Sequence, residues 1–188
     1  MRTFVALLVA AISIAAGSPS RADDITDAID QARKAYQAGN LGAAKQSLDT
    51  ASQLIGQKNA EGFATLLPKP LPGWTAEKLE ATSVGAVAFG ATMASQRYTN
   101  AKGDHVEVQI TGDSAMVMQF ATLLQNPQIA GAMGKLVMLG GQRAMQNAQG
   151  DVHMVIANKF LVTVQGSADA RTKLTYAQGV NIAKLSKM

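Results

Sequence analysis

Two pairs of residues combine an imidazole with a carboxylate at the spacing of a strand face. His105 and Glu107 lie two residues apart in DHVEVQITGD, and Asp151 and His153 repeat that spacing in DVHMVIA. Alternate residues of a strand point to the same side, so each pair is expected to share one face of a sheet. Imidazole and carboxylate together suit Zn²⁺ or Cu²⁺. If the two strands are neighbours, the four side chains form a candidate metal site.

Methionine adds a second possible ligand type. The chain holds nine methionines, among them Met116, Met118 and Met154, and thioethers are ligands that select Cu(I). Both features also have a structural interpretation, which we favour. Polar residues alternate on a sheet face that meets water, and methionine at helix or strand spacing fills gaps in a core. A metal-binding protein using His and Met side chains is therefore the alternative interpretation.

The residues predict no enzyme. There is no cysteine and there are two histidines, so a thiol nucleophile is impossible, and the sequence contains no GxSxG, HExxH or P-loop pattern. The glycine-rich stretch at 130–142, AGAMGKLVMLGGQ, lacks the GK[ST] ending of a phosphate loop. We predict that it is a loop leading into a hairpin. No cofactor is predicted.

Residues 1–22 are predicted to be a signal peptide. Arg2 precedes an apolar run from Phe4 to Ala16, and Ser20-Arg21-Ala22 has the form of a cleavage site. The run is shorter than the roughly 20 residues that a spanning helix needs. The absence of cysteine excludes lipoprotein attachment and disulfides. We expect cleavage before Asp23, a periplasmic location and no stable membrane insertion afterwards.

The charge of the chain gives no sign of a nucleic-acid partner. Removal of Arg2 and Arg21 with the signal peptide lowers the formal net charge from +4 to +2. No stripe of Lys and Arg with interleaved aromatic residues follows. Nucleic-acid binding is therefore not expected.

Helical spacing dominates residues 23–67, which are predicted to form a helical hairpin. Gly39-Asn40 ends the first helix and starts the second, and so short a turn makes the two helices antiparallel. The apolar positions of the two helices are Ile25, Ala28, Ile29, Ala32, Ala35 and Tyr36, then Leu41, Ala44, Leu48, Ala51, Leu54 and Ile55.

Prolines separate this hairpin from the rest of the chain. Pro68, Pro70 and Pro72 are predicted to hold residues 68–73 as a stiff linker. Residues 74–188 form the second predicted domain, which opens with the sole tryptophan, Trp74. We expect Trp74 to be a packing anchor and not a ligand platform.

Period-two patterns and turn residues organise residues 74–188. Strands are predicted at 93–100, 104–113, 135–148 (with a turn at Gly140-Gly141), 151–157 and 159–167 (after a turn at Asn158). A helix is predicted to follow residue 114 and end near Asn126-Pro127, and another runs from Asp169 to about Leu185. Short hairpin links between strands predict an α+β fold, in which an antiparallel sheet is covered by helices on one side.

Two parts of the chain resemble known families. The spacing of Gly39, Leu41, Ala44, Leu48 and Ala51 resembles one tetratricopeptide repeat, although a solenoid needs three or more. The order of elements after PKPLPGW, with FLVTVQG in the last strand, resembles the PsbP-like α/β/α sandwich domains. The PKPLPGW and FLVTVQG motifs also resemble those of a group of uncharacterised secreted proteobacterial proteins.

The PsbP-like resemblance implies a non-catalytic envelope domain that binds or assists a larger partner, and it transfers no active-site residue. We therefore expect a non-enzymatic periplasmic accessory or binding protein that acts through protein–protein or small-ligand contacts. An envelope protein is the expected partner, and the hairpin is the expected docking arm.

Overall fold

The computed structural model describes residues 21–83, 91–112 and 114–188. The predicted signal peptide, apart from Arg21 and Ala22, lies outside these residues. The described part of the chain contains six helices: α1 (Arg21–Gln37), α2 (Leu41–Ala64), α3 (Ala115–Gln125), α4 (Pro127–Met133), α5 (Ala170–Gly179) and α6 (Ile182–Leu185). Its eight strands are β1 (Trp74–Ala76), β2 (Glu80–Ser83), β3 (Thr92–Asn100), β4 (His105–Gly112), β5 (Lys135–Leu139), β6 (Gln142–Gln146), β7 (Val152–Ile156) and β8 (Phe160–Gln165).

All eight strands form one antiparallel sheet. Its order is β1-β3-β4-β8-β7-β6-β5, with β2 also paired to β3. The predicted α+β class, a helical hairpin followed by an antiparallel sheet packed against helices, is confirmed.

One face of the sheet carries the main core. On β4, Val106, Val108 and Ile110 are fully buried, as their alternation predicts, and β7 and β8 add further buried residues to the same cluster. Helix α5 contributes Tyr176 and Ala177, and α6 contributes Ile182 and Leu185. Burial of so many aliphatic and aromatic side chains at about 25 cal/mol per Å² is the main source of stability.

The expectation of helices on one side only is wrong. Helices α3 and α4 lie on the opposite face, where α3 covers β6 to β8 and α4 contacts β5. The reason is that this face is not polar throughout: Met145 and Leu161 are buried on it, and Val155 packs against the small cluster that contains Leu124 of α3. The polar alternation of β4 predicts a solvated face, whereas the apolar residues of β6, β7 and β8 on that face require a cover.

Two helix boundaries also differ from the prediction. Pro127 ends α3 as expected but also starts α4, because the Asn126 side chain accepts hydrogen bonds from Gln128 N and Ile129 N and proline fits a first helical position. Part of the stretch predicted as a glycine-rich loop is therefore helical. The predicted closing helix breaks at Val180 and Asn181, and Asn181 caps a separate helix, α6.

Helix α2 connects the hairpin to the core. Its first half packs on α1 through small residues, with Ala28 and Ala32 facing Ala44 and Ala51. Further along, Phe63 enters the main core cluster and packs edge-to-face on Phe160, with ring centroids 5.4 Å apart.

The proline segment is bound to the same core. Tyr98 Oη donates a 2.5 Å hydrogen bond to Pro68 O, and Leu71 N donates one of 3.3 Å to Tyr176 Oη. Trp74 is half-buried and packs edge-to-face on Tyr176 at 5.7 Å, in agreement with its expected role in packing. That residues 23–67 and 74–188 are separate modules joined by a linker at 68–73 stays a prediction.

Candidate functional site

His105 and Glu107 lie on β4, on the face opposite the main core. The Nδ1 atom of His105 is 3.0 Å from Ser167 Oγ, and the same hydroxyl accepts a 2.9 Å hydrogen bond from His105 N. Glu107 lies across from Arg97 on β3, at 3.7 Å. Both residues therefore have local partners that tie β4 to its surroundings.

Asp151 precedes β7 and forms an ion pair with a buried lysine. Lys173 of α5 is 1% exposed, and its ammonium donates to Asp151 Oδ1 at 2.7 Å, Gln149 O at 2.7 Å and Gly166 O at 2.9 Å. An ammonium has three donors, so every donor is used. This group fastens α5 to two loops at one end of the sheet.

The Asp151 carboxylate is held in its charged form. Burial alone would raise its pKa, but hydrogen bonds from Lys173 and Asn147 and the nearby charges of Lys173 and His153 lower the pKa below the ordinary value. Its interactions with Lys173 and Asn147 indicate a structural role.

His153 lies beneath α3. Its ring stacks on Phe120 with centroids 5.3 Å apart, and its Nδ1 atom is buried without a hydrogen-bond partner. Burial lowers the pKa of His153, against the opposing attraction of the Asp151 carboxylate. Partial burial under α3 therefore disfavours the protonated form of the imidazole, and the ring is half-buried.

The structure does not bring the four predicted residues together as one set. Strand β8 lies between β4 and β7, so the strands that carry the two pairs are not neighbours. Asp151 and His153 remain close enough to interact electrostatically, whereas His105 and Glu107 have Ser167 and Arg97 as partners. Within residues 21–83, 91–112 and 114–188, no group of three His, Asp or Glu side chains could hold a metal ion.

The methionines divide between core and surface. Met145 and Met154 are buried, as expected for core filler. Met118, Met133 and Met138 are exposed, contrary to that expectation. The last two lie on α4 and on β5, which is an edge strand of the sheet.

Two shallow clefts open on the face of the sheet that carries α3. One, of about 250 Å³, is polar and is lined by residues around β3 and β4 that include Glu77, Arg97 and Glu107. The other, of about 260 Å³, lies between α3 and the β5–β6 hairpin and is lined in part by Leu124, Met138 and Arg143.

A set of large exposed apolar side chains lies on the helical hairpin. Five large side chains are between 43% and 69% exposed and are here called the hairpin face: Ile29, Tyr36, Leu41, Leu48 and Ile55. Exposed apolar patches of this kind mark sites of protein interaction. Because these five side chains remain exposed although α1 packs on α2, the hairpin face is open to a partner.

Two residues that shape this region were not among the predicted site residues: Lys173, which pairs with Asp151, and Phe120, which stacks on His153. Lys173 sits four residues before Ala177 and seven before Val180, on the buried stripe of the closing helix. A charged residue on such a stripe signals a buried ion pair. The partner of His153 had no comparable signal, because it depends on how α3 folds over the sheet.

The chain matches no protein-family model, no curated protein and no solved structure. No helix of the described residues combines the length and apolar character needed to cross a membrane.

Proposed function

We propose that this chain is a non-enzymatic periplasmic accessory protein that acts by binding another protein. The observation that carries this proposal is the hairpin face: five large apolar side chains exposed on two helices. The periplasmic location rests on the order of charged, apolar and small residues in 1–22.

The rest of the fold supports a scaffold role. Lys173 and Asp151 satisfy each other, and Glu107 and His105 have local partners. Phe63 enters the main core cluster and so anchors α2, one of the two helices that carry the hairpin face, to the sheet. A rigid, preformed surface binds with a smaller ordering cost than a flexible one.

A photo-crosslinking amino acid placed at Leu48 in the native host tests the proposal. We expect ultraviolet light to produce a defined protein adduct at this position. The matched control is Gln46, which is also exposed and lies two residues away, on the far side of the same helix. An adduct of equal yield at Gln46, or none at Leu48, would overturn the proposal.

A further inference from the structure

The hairpin face has the spacing of a helix-packing seam. Ile29 and Tyr36 are seven residues apart on α1, as are Leu41, Leu48 and Ile55 on α2. A seven-residue apolar repeat is the pattern by which one helix packs along another. The α1–α2 contact itself does not use this repeat, because it is made by the alanines.

The two stripes lie on the same side of the hairpin. Ile29 and Tyr36 each directly follow a buried or half-buried residue of the α1 seam, Ala28 or Ala35. On α2, Leu48 and Ile55 likewise directly follow the half-buried residues Ser47 and Leu54. Equivalent positions of two antiparallel helices flank one side of their contact, so the five side chains form a continuous surface.

Charges beside the hairpin face alternate in sign along it. Arg33 and Lys45 lie at similar distances from the turn at Gly39, and Asp30 and Asp49 lie about one helical turn further away. Each basic residue pairs with the acidic residue of its own helix, at 3.0 Å for Arg33–Asp30 and 2.6 Å for Lys45–Asp49. The hairpin thus has a basic level nearer the turn and an acidic level further from it.

We propose that the hairpin face binds a second copy of this chain, with the two hairpins antiparallel. The two-fold axis lies in the interface, perpendicular to the helices and midway between the two charge levels. It places Arg33 and Lys45 of one copy beside Asp30 and Asp49 of the other. The same axis packs each apolar stripe against its own symmetry mate, as an isologous interface requires. A parallel arrangement puts like charges together and is disfavoured. This inference rests on the proposed function and names its partner.

Sedimentation of the protein purified from its host tests the partner directly. We expect a dimer that dissociates on dilution. Leu48→Asp should weaken the dimer by about a hundredfold or more, since burying an unpaired charge in an apolar interface is strongly unfavourable. Leu79→Asp is the matched control, because Leu79 is an exposed leucine outside the hairpin, and it should leave the dimer intact.

Charge reversal tests the antiparallel arrangement. Changing Arg33 and Lys45 to Glu should weaken the dimer by about tenfold, and adding Asp30→Lys and Asp49→Lys should restore it, because the alternation is re-formed with opposite sign. Circular dichroism shows whether each variant is folded. A dimer that is insensitive to Leu48→Asp, or reversed charges that are not rescued, would overturn the inference.

The outcomes separate this inference from the proposed function. A monomer at all concentrations, together with a cross-link from Leu48 to a different protein, would refute self-association and leave the docking function intact. A monomer without any cross-link from Leu48 would refute both.

Discussion

Lys173 shows how a charged residue becomes part of a core. Its ammonium meets two carbonyl oxygens and one carboxylate, which replace the water that burial removes. Its three acceptors come from the loop before β7 and from the residue after β8. One side chain therefore fixes the positions of two loops and of α5.

Replacing Lys173 by Met keeps much of the volume and removes all three hydrogen bonds. We expect the free energy of unfolding to fall by about 2–4 kcal/mol, because two carbonyls and a partly buried carboxylate lose their partner. Urea unfolding monitored by circular dichroism measures this loss. Lys187→Met, at an exposed position, should change stability by less than about 0.5 kcal/mol. Equal effects of the two substitutions would refute the structural role.

We expect His153 to make stability depend on pH near neutrality. Because burial lowers its pKa in the folded protein, the unfolded chain takes up a proton first as the pH falls below about 6.5. The free energy of unfolding should therefore decrease through this window. Asp151 affects stability at a lower pH than His153 does. Because the pKa of Asp151 is lowered in the folded protein, its contribution to stability is fully present above pH 3.8 and is lost as the pH falls further.

Urea unfolding at about pH 7.5 and about pH 5 isolates the histidine, because Asp151 is ionised in both states over that range. The wild type should lose more stability between the two pH values than His153→Gln, which cannot gain the proton. If both proteins lose the same amount, the His153 imidazole does not control the pH response.

At the scale of elements, α2 has two different halves. The first pairs with α1 and carries Leu48 on the hairpin face, and the second carries Phe63 into the core. Gly112 of β4 makes room for Phe63, since a Cβ at this position would lie 2.9 Å from the phenyl ring. The glycine at position 112 therefore allows Phe63 of α2 to pack against β4 in the core.

Alanine substitutions in the two halves of α2 should differ in their effect on stability. Phe63→Ala should destabilise the protein by about 3–5 kcal/mol through loss of burial and formation of a cavity. At a protein concentration low enough for the chain to be monomeric, Leu48→Ala should change stability by less than about 0.5 kcal/mol, as exposed positions usually do. Chemical denaturation of both variants measures the difference. A small effect of Phe63→Ala would favour a hairpin that is independent of the sheet domain.

Local signals predicted the elements that depend on neighbours in the chain. Gly140-Gly141 and Asn158 occupy left-handed backbone conformations, with φ of 54°, 81° and 55°, and both hairpins were predicted from these turn residues. Strands β1 and β2 are short and carry no clear alternation. Helix α4 has no distinct local signal, because a proline is typical both of a helix end and of a first helical position. The pairing of β4 with β8 is set by the whole core and has no local signal.

Whether the two predicted residue pairs lie on neighbouring strands depends on the same long-range pairing of β4 with β8. Alternation placed His105 with Glu107 and Asp151 with His153 correctly within each pair, but strand order decided whether the pairs met. The cover of α3 over His153 depends on apolar residues of three strands. The hairpin face, by contrast, follows from the helical spacing of residues 25–55, although its exposure required the structure.

At the scale of the whole molecule, processing can be tested on exported protein. We expect the intact mass of protein recovered from the periplasmic fraction to correspond to a chain that begins at Asp23, because Ser20-Arg21-Ala22 has the form of a cleavage site. A full-length chain in the membrane fraction would contradict this expectation. The control is a variant with Ala22→Arg, which should accumulate in the uncleaved form.

The central ladder of the sheet sets how the chain reaches its native state. β4 pairs with β8 from Gly112–Phe160 to Glu107–Gln165, so the partners are separated by about 50 residues, whose loop must close first. Local hairpins form within about 1–10 μs, but they remain two unjoined halves until this ladder forms. Contacts of such sequence separation slow folding towards milliseconds or seconds. During that interval the edge of β4 that will pair with β8, which includes Val108, is unpaired and can pair wrongly with another chain.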